Sequence, residues 1–496
     1  MTRVTVHKFG GTSVADAERF DRVATIVLDR TGPVERPVVV VSAMAGVTDA
    51  LIRGARHATD GDTSAASLLL FDLERRHAAV SEGLLRTPER AAFEAVLHER
   101  LDGLRRLYDS LSVLGELTPR SRDAVTGYGE GLSAALLAAV LRKRGGRAAA
   151  IDAKTLIVTD ERFGDASPLP EPTRVQIRRR VVPRVEQGEI PVITGYIGAT
   201  REGTPTTLGR SGSDRSAAAV ASGLDAGEVW IWTDVDGILT ADPHIVPGAR
   251  TLEELSYEEA ANLARFGAEV LHPRTIQPVI AHGIPLRIVN SLHPDHPGTR
   301  IVARPSPERW TSPAIVSSNG MRRLAVGNGD ETGRLLAAAR TLRRLSEAGI
   351  DVYMFSQSLC DSSLGLVIRG QDRDQVASVL RRSASGGSEV EPNDSLGLRA
   401  EEEVAIVSVI GRPGGDERGI ASRAFAAVGR HAVRVIGVTQ AVEADSVSFC
   451  IPASRVADTV RFLHRELGLE EAPVSAADRA KPTGSVDRAA SDGSAP

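Results

Sequence analysis

Up to about residue 303 the chain alternates short runs of β-branched and aliphatic side chains with stretches whose apolar positions recur at helical spacing. That is the pattern of an α/β domain with a largely parallel sheet. Five runs read as strands: Val4 to Phe9, Pro37 to Ser42, Ala148 to Ile151, Ile190 to Thr194 and Val229 to Thr233. Between the second and third lies a helix-rich stretch, in which Leu104, Leu107, Tyr108 and Leu111 fall on one helical face. A stripe of that kind reads as core.

From about 313 to 386 the order becomes strand (LAVGN), helix (LLAAARTLRRLSEAGI), strand (VYMFSQ), strand (LGLVIRG) and helix (QVASVLRRS). After a turn-rich spacer, SASGGSEVEPNDSLG, the same order recurs in EVAIVSVIG, GIASRAFAAVGRHAV, RVIGVTQ, SVSFCIP and VADTVRFLHREL. The repeat has a period of roughly 80 to 90 residues, too long for a solenoid and right for two copies of a small α+β module. The expected division is 1–303 for the α/β domain, 313–390 and 402–470 for the two modules, and 471–496 for a tail. The tail is poor in large apolar groups and rich in Ser, Ala, Pro and Asp, and disorder is expected there.

Composition narrows the picture. At 496 residues the chain exceeds what one core holds, and its 42% hydrophobic and 25% charged residues are ordinary for a globular protein. No apolar run suggests a membrane span, and MTRVTVHKFGG reads as a strand rather than a signal peptide. A formal charge of −4 leaves no basic footprint for nucleic acid. Cys360 and Cys450, both in strand-like runs, offer neither a disulfide framework nor a zinc site, and no metal-ligand set is assigned. A cytoplasmic location is the expectation. The only lysines are Lys8, Lys143, Lys154 and Lys481, so a lysine kept among so many arginines suggests a place that needs a compact point charge.

Three segments carry chemistry. In VTVHKFGGTSVADAERF a strand ends at Lys8 before Gly10, Gly11, Thr12 and Ser13, and a helix with apolar Phe20, Val23, Ala24 and Val27 follows. Paired glycines let backbone amides turn toward a phosphate, the helix start adds its dipole, and Lys8 can reach the transferring group. The order differs from the Walker and dinucleotide patterns, and an ordinary strand-to-helix turn reads the same way. In LGRSGSDRSAAAVASGL, Gly209, Ser211, Gly212 and Ser213 open a small-residue helix from which Arg210 and Asp214 project. An arginine fork suits a carboxylate and an aspartate suits an ammonium group or a metal, although a capped helix with a surface ion pair is the plainer reading. In VWIWTDVDGILTADPHIVPGAR a buried strand ends at Thr233, Asp234 and Asp236, at the strand end where open parallel sheets gather ligands.

Together with SAMAGVTDAL, YGEGLSA and RFGAEVLHPRTIQP, these segments resemble the aspartate kinases of the amino-acid kinase superfamily, and the repeats resemble that family's paired ACT, ferredoxin-like regulatory domains. The resemblance implies a mostly parallel sheet sandwiched by helices. It implies ATP and Mg²⁺ as cofactors and L-aspartate as acceptor, phosphorylated to 4-phospho-L-aspartate on the way to lysine, threonine and methionine or ectoine-type products. Lys8 and Asp214 take catalytic positions. Gly10, Gly11, Thr12 and Ser13 face phosphate, and Thr233 and Asp234 contact the nucleotide. Ser42 and Thr48 hold the side-chain carboxylate of the substrate, Arg210 its α-carboxylate, Glu130 with Asp214 its amino group, and Ser213 lies beside them. Gln357 and Gln440 mark effector positions, and pairing of ACT domains implies a homodimer. A homoserine dehydrogenase segment is absent from the sequence, so a monofunctional kinase is expected. A carboxylate with a pKa of roughly 4 is already ionised at neutral pH, which accounts for a site without a candidate catalytic His. Two positions depart from the family pattern: His244 where an arginine is usual, and Glu269 where a lysine is usual. They leave open a same-fold kinase for another acidic amino acid and a non-catalytic effector-binding subunit.

Overall fold

The computed structural model describes residues 3–265, 273–306, 313–327, 334–357, 363–382, 398–411, 419–440 and 446–470. The proposed tail, the spacer between the modules, Cys360 and Glu269 lie outside them. The first domain contains β1 (Arg3–Phe9), β2 (Glu35–Val41), β3 (Ala148–Ile151), β4 (Ile190–Thr194), β5 (Ile197–Ala199), β6 (Pro205–Thr207), β7 (Glu228–Thr233), β8 (Glu254–Ser256), β9 (Leu286–Asn290) and β10 (Thr299–Val302). Eight of these form one sheet in the order β3-β4-β2-β1-β7-β9-β10-β8, and β5 and β6 make a separate hairpin. Every pairing from β3 through β9 is parallel, and only β9 and β10 run antiparallel.

Alternation along the strands explains why this sheet must be covered twice. Val39 and Val41 enter one apolar cluster while Val38 and Val40 enter another on the opposite face, and Trp232 and Ile231 divide the same way. The first cluster is filled by helices that include Ala17–Asp29, Val47–Thr59, Thr63–Leu84, Thr87–Leu114 and Tyr128–Lys143. The expected stripe is there, with Leu104, Tyr108 and Leu111 buried and Leu107 packed at its margin. The stretch Pro119–Lys143 is long and apolar enough to cross a membrane by length and hydropathy, but most of it is buried in this core. The second face is covered by helices that include Pro170–Arg180 and Gly212–Leu224.

One polar chain crosses the sheet beneath the candidate site. The Trp232 indole donates to Nδ1 of the fully buried His7 at 3.1 Å, which leaves Nε2 to donate to the Thr5 hydroxyl at 2.9 Å; that hydroxyl in turn donates to Glu35 at 2.8 Å. Burial holds the His7 imidazole below its ordinary pKa, so it is neutral while fully bonded.

The two modules are built from β11 (Ala314–Gly327), β12 (Met354–Gln357), β13 (Ser363–Arg369), β14 (Leu398–Ile410), β15 (Gly437–Gln440) and β16 (Ser446–Pro452). Helices Arg334–Glu347 and Arg373–Arg382 belong to the first copy, and Ile420–Arg430 and Val456–Glu466 to the second. The copies share a single antiparallel sheet, β12-β13-β11-β14-β16-β15, joined where β11 pairs with β14. β11 serves both: Ile315 packs into the core of the second copy, Leu324 and Val326 into that of the first. The strands at the two ends of this order, β12 and β15, come into contact with each other, so the sheet curls.

Fully buried Leu137 tests this account of the core. Leu137→Ala lowers the stability of the first domain by about 3 kcal/mol, read as a lower thermal midpoint, whereas Leu335→Ala on an exposed helical face leaves the midpoint unchanged.

Candidate active site

The carboxyl ends of the parallel strands converge on one rim. Lys8 sits near the end of β1, between Val40 of β2 and Ile231 of β7. Its ammonium lies 2.6 Å from Asp214 Oδ1, and both side chains are largely shielded from solvent. The Gly10–Val14 loop closes as a short 3₁₀ turn, with the Ser13 amide donating to the Gly10 carbonyl at 3.0 Å. The next helix does not lend its dipole to the loop as the sequence suggested. It begins at Ala17, capped by Asp16, whose carboxylate accepts from the Arg19 amide at 2.9 Å, so its dipole is spent on Asp16 and not on the loop. Gly11 is required for a different reason: a Cβ there would stand 3.0 Å from the Ala43 carbonyl, which brings the loop against the segment carrying Ser42.

On the acceptor side, Ser42 follows β2, with its amide donating to the Phe9 carbonyl at 3.1 Å, and Thr48 lies in the first turn of the helix Val47–Thr59. Glu130, in the first turn of Tyr128–Lys143, is buried. Its carboxyl accepts from its own amide and from that of Ala43, yet Oε2 has no hydrogen-bond partner in the protein. Burial pushes this group up to about 7 against the pull of those amides. An unpartnered carboxylate oxygen in such a place calls for a cationic ligand. Ser213 and Asp214 are buried at the start of Gly212–Leu224, and Arg210 is exposed before it.

On the other side, Thr233 ends β7 half-exposed and Asp234 is exposed, with the Thr233 hydroxyl donating to Asp234 at 3.2 Å. The two sides meet through Ser291, a residue the sequence reading passed over. Its hydroxyl lies 3.0 Å from that of Ser13, and its amide donates to the Thr233 carbonyl at 2.8 Å. Asn290, before it, donates to Asp236 at 2.8 Å. A polar pair directly after the apolar run LRIV was the available signal, the same one that revealed Thr233 and Asp234.

Three more residues shape the site without a motif. Tyr196, just past β4, adopts a left-handed backbone (φ 68°), and a Cβ on Gly212 would meet its ring at 2.5 Å. Buried Asp123 accepts from the Thr207 hydroxyl at 2.7 Å, the Thr207 amide at 2.9 Å and the Gly164 amide at 2.8 Å. Buried Arg215 binds Asp165 at 3.0 Å and the Ala166 carbonyl at 3.1 Å. These two charges brace the turn that presents Arg210. Gln357 and Gln440 lie apart from the rim, on β12 and β15. His244 is exposed, its amide donating to Asp242 at 2.9 Å.

The description "Amino acid kinase family" fits residues 3–290 and "ACT domain" residues 407–467. Chloroplastic aspartokinase 2 of Arabidopsis thaliana is 36% identical over 366 residues, which is 73% of this chain and 66% of that protein. Chloroplastic aspartokinase 1 of the same plant is 31% identical over 93% of this chain and 79% of its own length. The bifunctional aspartokinase/homoserine dehydrogenase 1 of Zea mays is 31% identical over 93% of this chain, and the chain spans only 50% of it. Among solved structures, E. coli aspartokinase III in complex with aspartate and ADP superposes with a TM-score of 0.77 at 27% identity, covering 94% of this chain and 99% of that one. The same enzyme in complex with lysine and aspartate gives 0.76 at 28%.

The Glu130 geometry has a measurable consequence. Ionising a carboxyl whose folded pKa is raised costs stability; the cost is absent below the ordinary value of 4.5, grows as pH rises to about 7, and is constant above. Glu130→Gln, uncharged throughout, matches the parent in unfolding free energy at acid pH and exceeds it by about 3 kcal/mol at about pH 8. A parent and variant that stay parallel across that range would remove the buried, unpaired carboxylate from the account.

Proposed function

The chain belongs to the amino acid kinase family as one of its aspartokinases, and from that premise we propose that it transfers the γ-phosphoryl group of ATP to the side-chain carboxylate of L-aspartate. The products are 4-phospho-L-aspartate and ADP. The observation that carries this reading is the buried Glu130, with an oxygen left open to a cation, on the same rim as exposed Arg210 and the Lys8–Asp214 pair. An α-amino acid presents both charges those groups need: an ammonium for Glu130 and Asp214, a carboxylate for Arg210. Ser42 and Thr48 then face the second carboxylate.

In that pose the acceptor oxygen is already an anion, so no proton has to be removed before it attacks the γ-phosphorus and the bond to the ADP oxygen breaks. What the chain supplies is alignment and relief of repulsion between two anions. The Lys8 ammonium, with three donors, keeps Asp214 and gains a phosphate oxygen. The amides of the Gly10–Val14 turn and the Ser13 hydroxyl bind other phosphate oxygens, and Thr233 and Asp234 take the nucleotide's far end. Mg²⁺ is the cation this reading adds, carried in with the triphosphate. Bound there, it neutralises triphosphate charge.

An amino-acid effector and a dimer belong to the same reading. Gln357 and Gln440 lie on the two strands that the curled sheet brings together, and exposed Phe355 and Val438 on those strands suit a second copy.

Trapping the acyl phosphate with hydroxylamine tests the reaction. ATP- and Mg²⁺-dependent hydroxamate should form with aspartate and not with glutamate, and Lys8→Met should lower turnover by about a thousandfold with an unchanged circular dichroism spectrum. A glutamate-only signal would move the acceptor, and none from folded protein would favour an effector-binding subunit. Once an inhibiting amino acid is found, Gln357→Ala or Gln440→Ala should raise its half-inhibiting concentration by about tenfold.

A further inference from the structure

The helical turn that carries Glu130 has a second flank. Gly129 packs against Ala43 and Val47, whereas Tyr128 and Gly131, three apart and so on one face, turn toward the helix Thr87–Leu114. Between them opens a cleft of about 500 Å³, lined among others by Arg100, Arg106, Tyr128, Lys154, Ile197 and Pro205. Two contacts fix its walls. A Cβ on Gly131 would stand 2.1 Å from Arg100 Nη1, so the guanidinium lies directly on the helix backbone. A Cβ on Gly103 would stand 2.9 Å from the Tyr128 hydroxyl, which is held against the long helix in the same way.

The cleft holds two arginines whose side chains are left without a partner among the described residues. Arg100 and Arg106 both act electrostatically on the Tyr128 hydroxyl, and neither side chain has a hydrogen bond or ion pair among the described residues. Of the acids nearby, Asp123 has both oxygens engaged by Thr207 and Gly164, and Glu99 stands exposed at the rim. Lys154 is paired with Asp152 at 3.3 Å. One guanidinium packed on the helix backbone and a second, exposed one on the same wall match a phosphoryl group. A cleft of this volume also exceeds what an inorganic anion fills and suits a small organic molecule.

We propose that this cleft is a second ligand site that binds a phosphomonoester, its phosphoryl group between Arg100 and Arg106 and its organic part toward Ile197 and Pro205. The site is separate from the Lys8 loop and stands whatever the acceptor of the phosphoryl transfer. Calorimetric titration of the full chain, with ADP saturating the Lys8 loop, tests it with glucose 6-phosphate, glycerol 3-phosphate and inorganic phosphate as probes. At least one ester should bind saturably and more tightly than inorganic phosphate. Its affinity should fall about tenfold in Arg100→Gln and in Arg106→Gln, fall likewise in Gly131→Ala, which displaces Arg100, and stay unchanged in Lys8→Met. Failure of both esters to bind, equal binding of inorganic phosphate, or binding that survives the arginine substitutions and disappears in Lys8→Met would each overturn the assignment.

Discussion

A parallel sheet buried on both faces dictates where this protein can do chemistry. Val38 through Val41 are wholly enclosed and alternate between two cores, so neither face of β2 has room for a ligand. A polar side chain buried between the strands needs partners, as His7 has in Trp232 and Thr5. Reactive groups are therefore confined to the strand ends. Lys8, Ser42, Thr233 and Ser291 all lie within a residue of such an end, and the register of β2, β1, β7 and β9 brings them to one rim.

Strand ends alone would leave the site loose; close approach and buried charge hold it. Gly11 lets the phosphate-facing turn press on the Ala43 carbonyl, and Ala43 in turn gives its amide to Glu130. A single short segment thus touches both the donor-side turn and the acceptor-side carboxylate. On the far wall Asp123 and Arg215 spend their charges on backbone groups around Thr207, Gly164 and Ala166. Each is a buried ion that would be costly unpaired, so the turn before Gly212 is specified more tightly than an ordinary loop. The raised pKa of Glu130 is the complementary case, a buried charge whose compensation has been left to a ligand.

The sequence carried the elements whose cause is local. Five strands were legible from their apolar runs, and Lys8, Arg210, Thr233 and Asp234 from polar residues placed just after or between them. The order strand, helix, strand, strand, helix was legible twice over. What it did not carry arises from contacts between distant segments. The short apolar runs at Leu286 and Thr299 do not by themselves place β9 and β10 in the sheet, because that depends on pairing with β7 and with each other. Tyr196 is unremarkable as a residue type, and only the nearness of Gly212 gives its left-handed backbone a reason. The helix dipole expected at the glycine turn failed for a local cause that was in plain view: Asp16, six residues after Gly10, caps the helix itself.

The sharing of β11 by both modules also bears on how they reach the site. After Asp234 the chain does not return at once to the sheet; it runs outward, and Ala241 and Val246 enter the core of the second module. The Thr240 carbonyl accepts from the Ile315 amide at 2.8 Å, its hydroxyl lies 3.0 Å from His464 Nε2, and Arg250 donates to the Leu469 carbonyl at 3.0 Å. These bonds bind the excursion to β11 and to the last helix at positions where Thr240 and His464 are buried. The other end of the same excursion is held by Asp236 on Asn290, next to Ser291 and Thr233. A rearrangement of the second module must therefore either break buried hydrogen bonds or carry the 234–252 segment with it, and the second course is the less costly. On the proposed reading, that segment is where an effector bound at the regulatory sheet would be felt by the nucleotide.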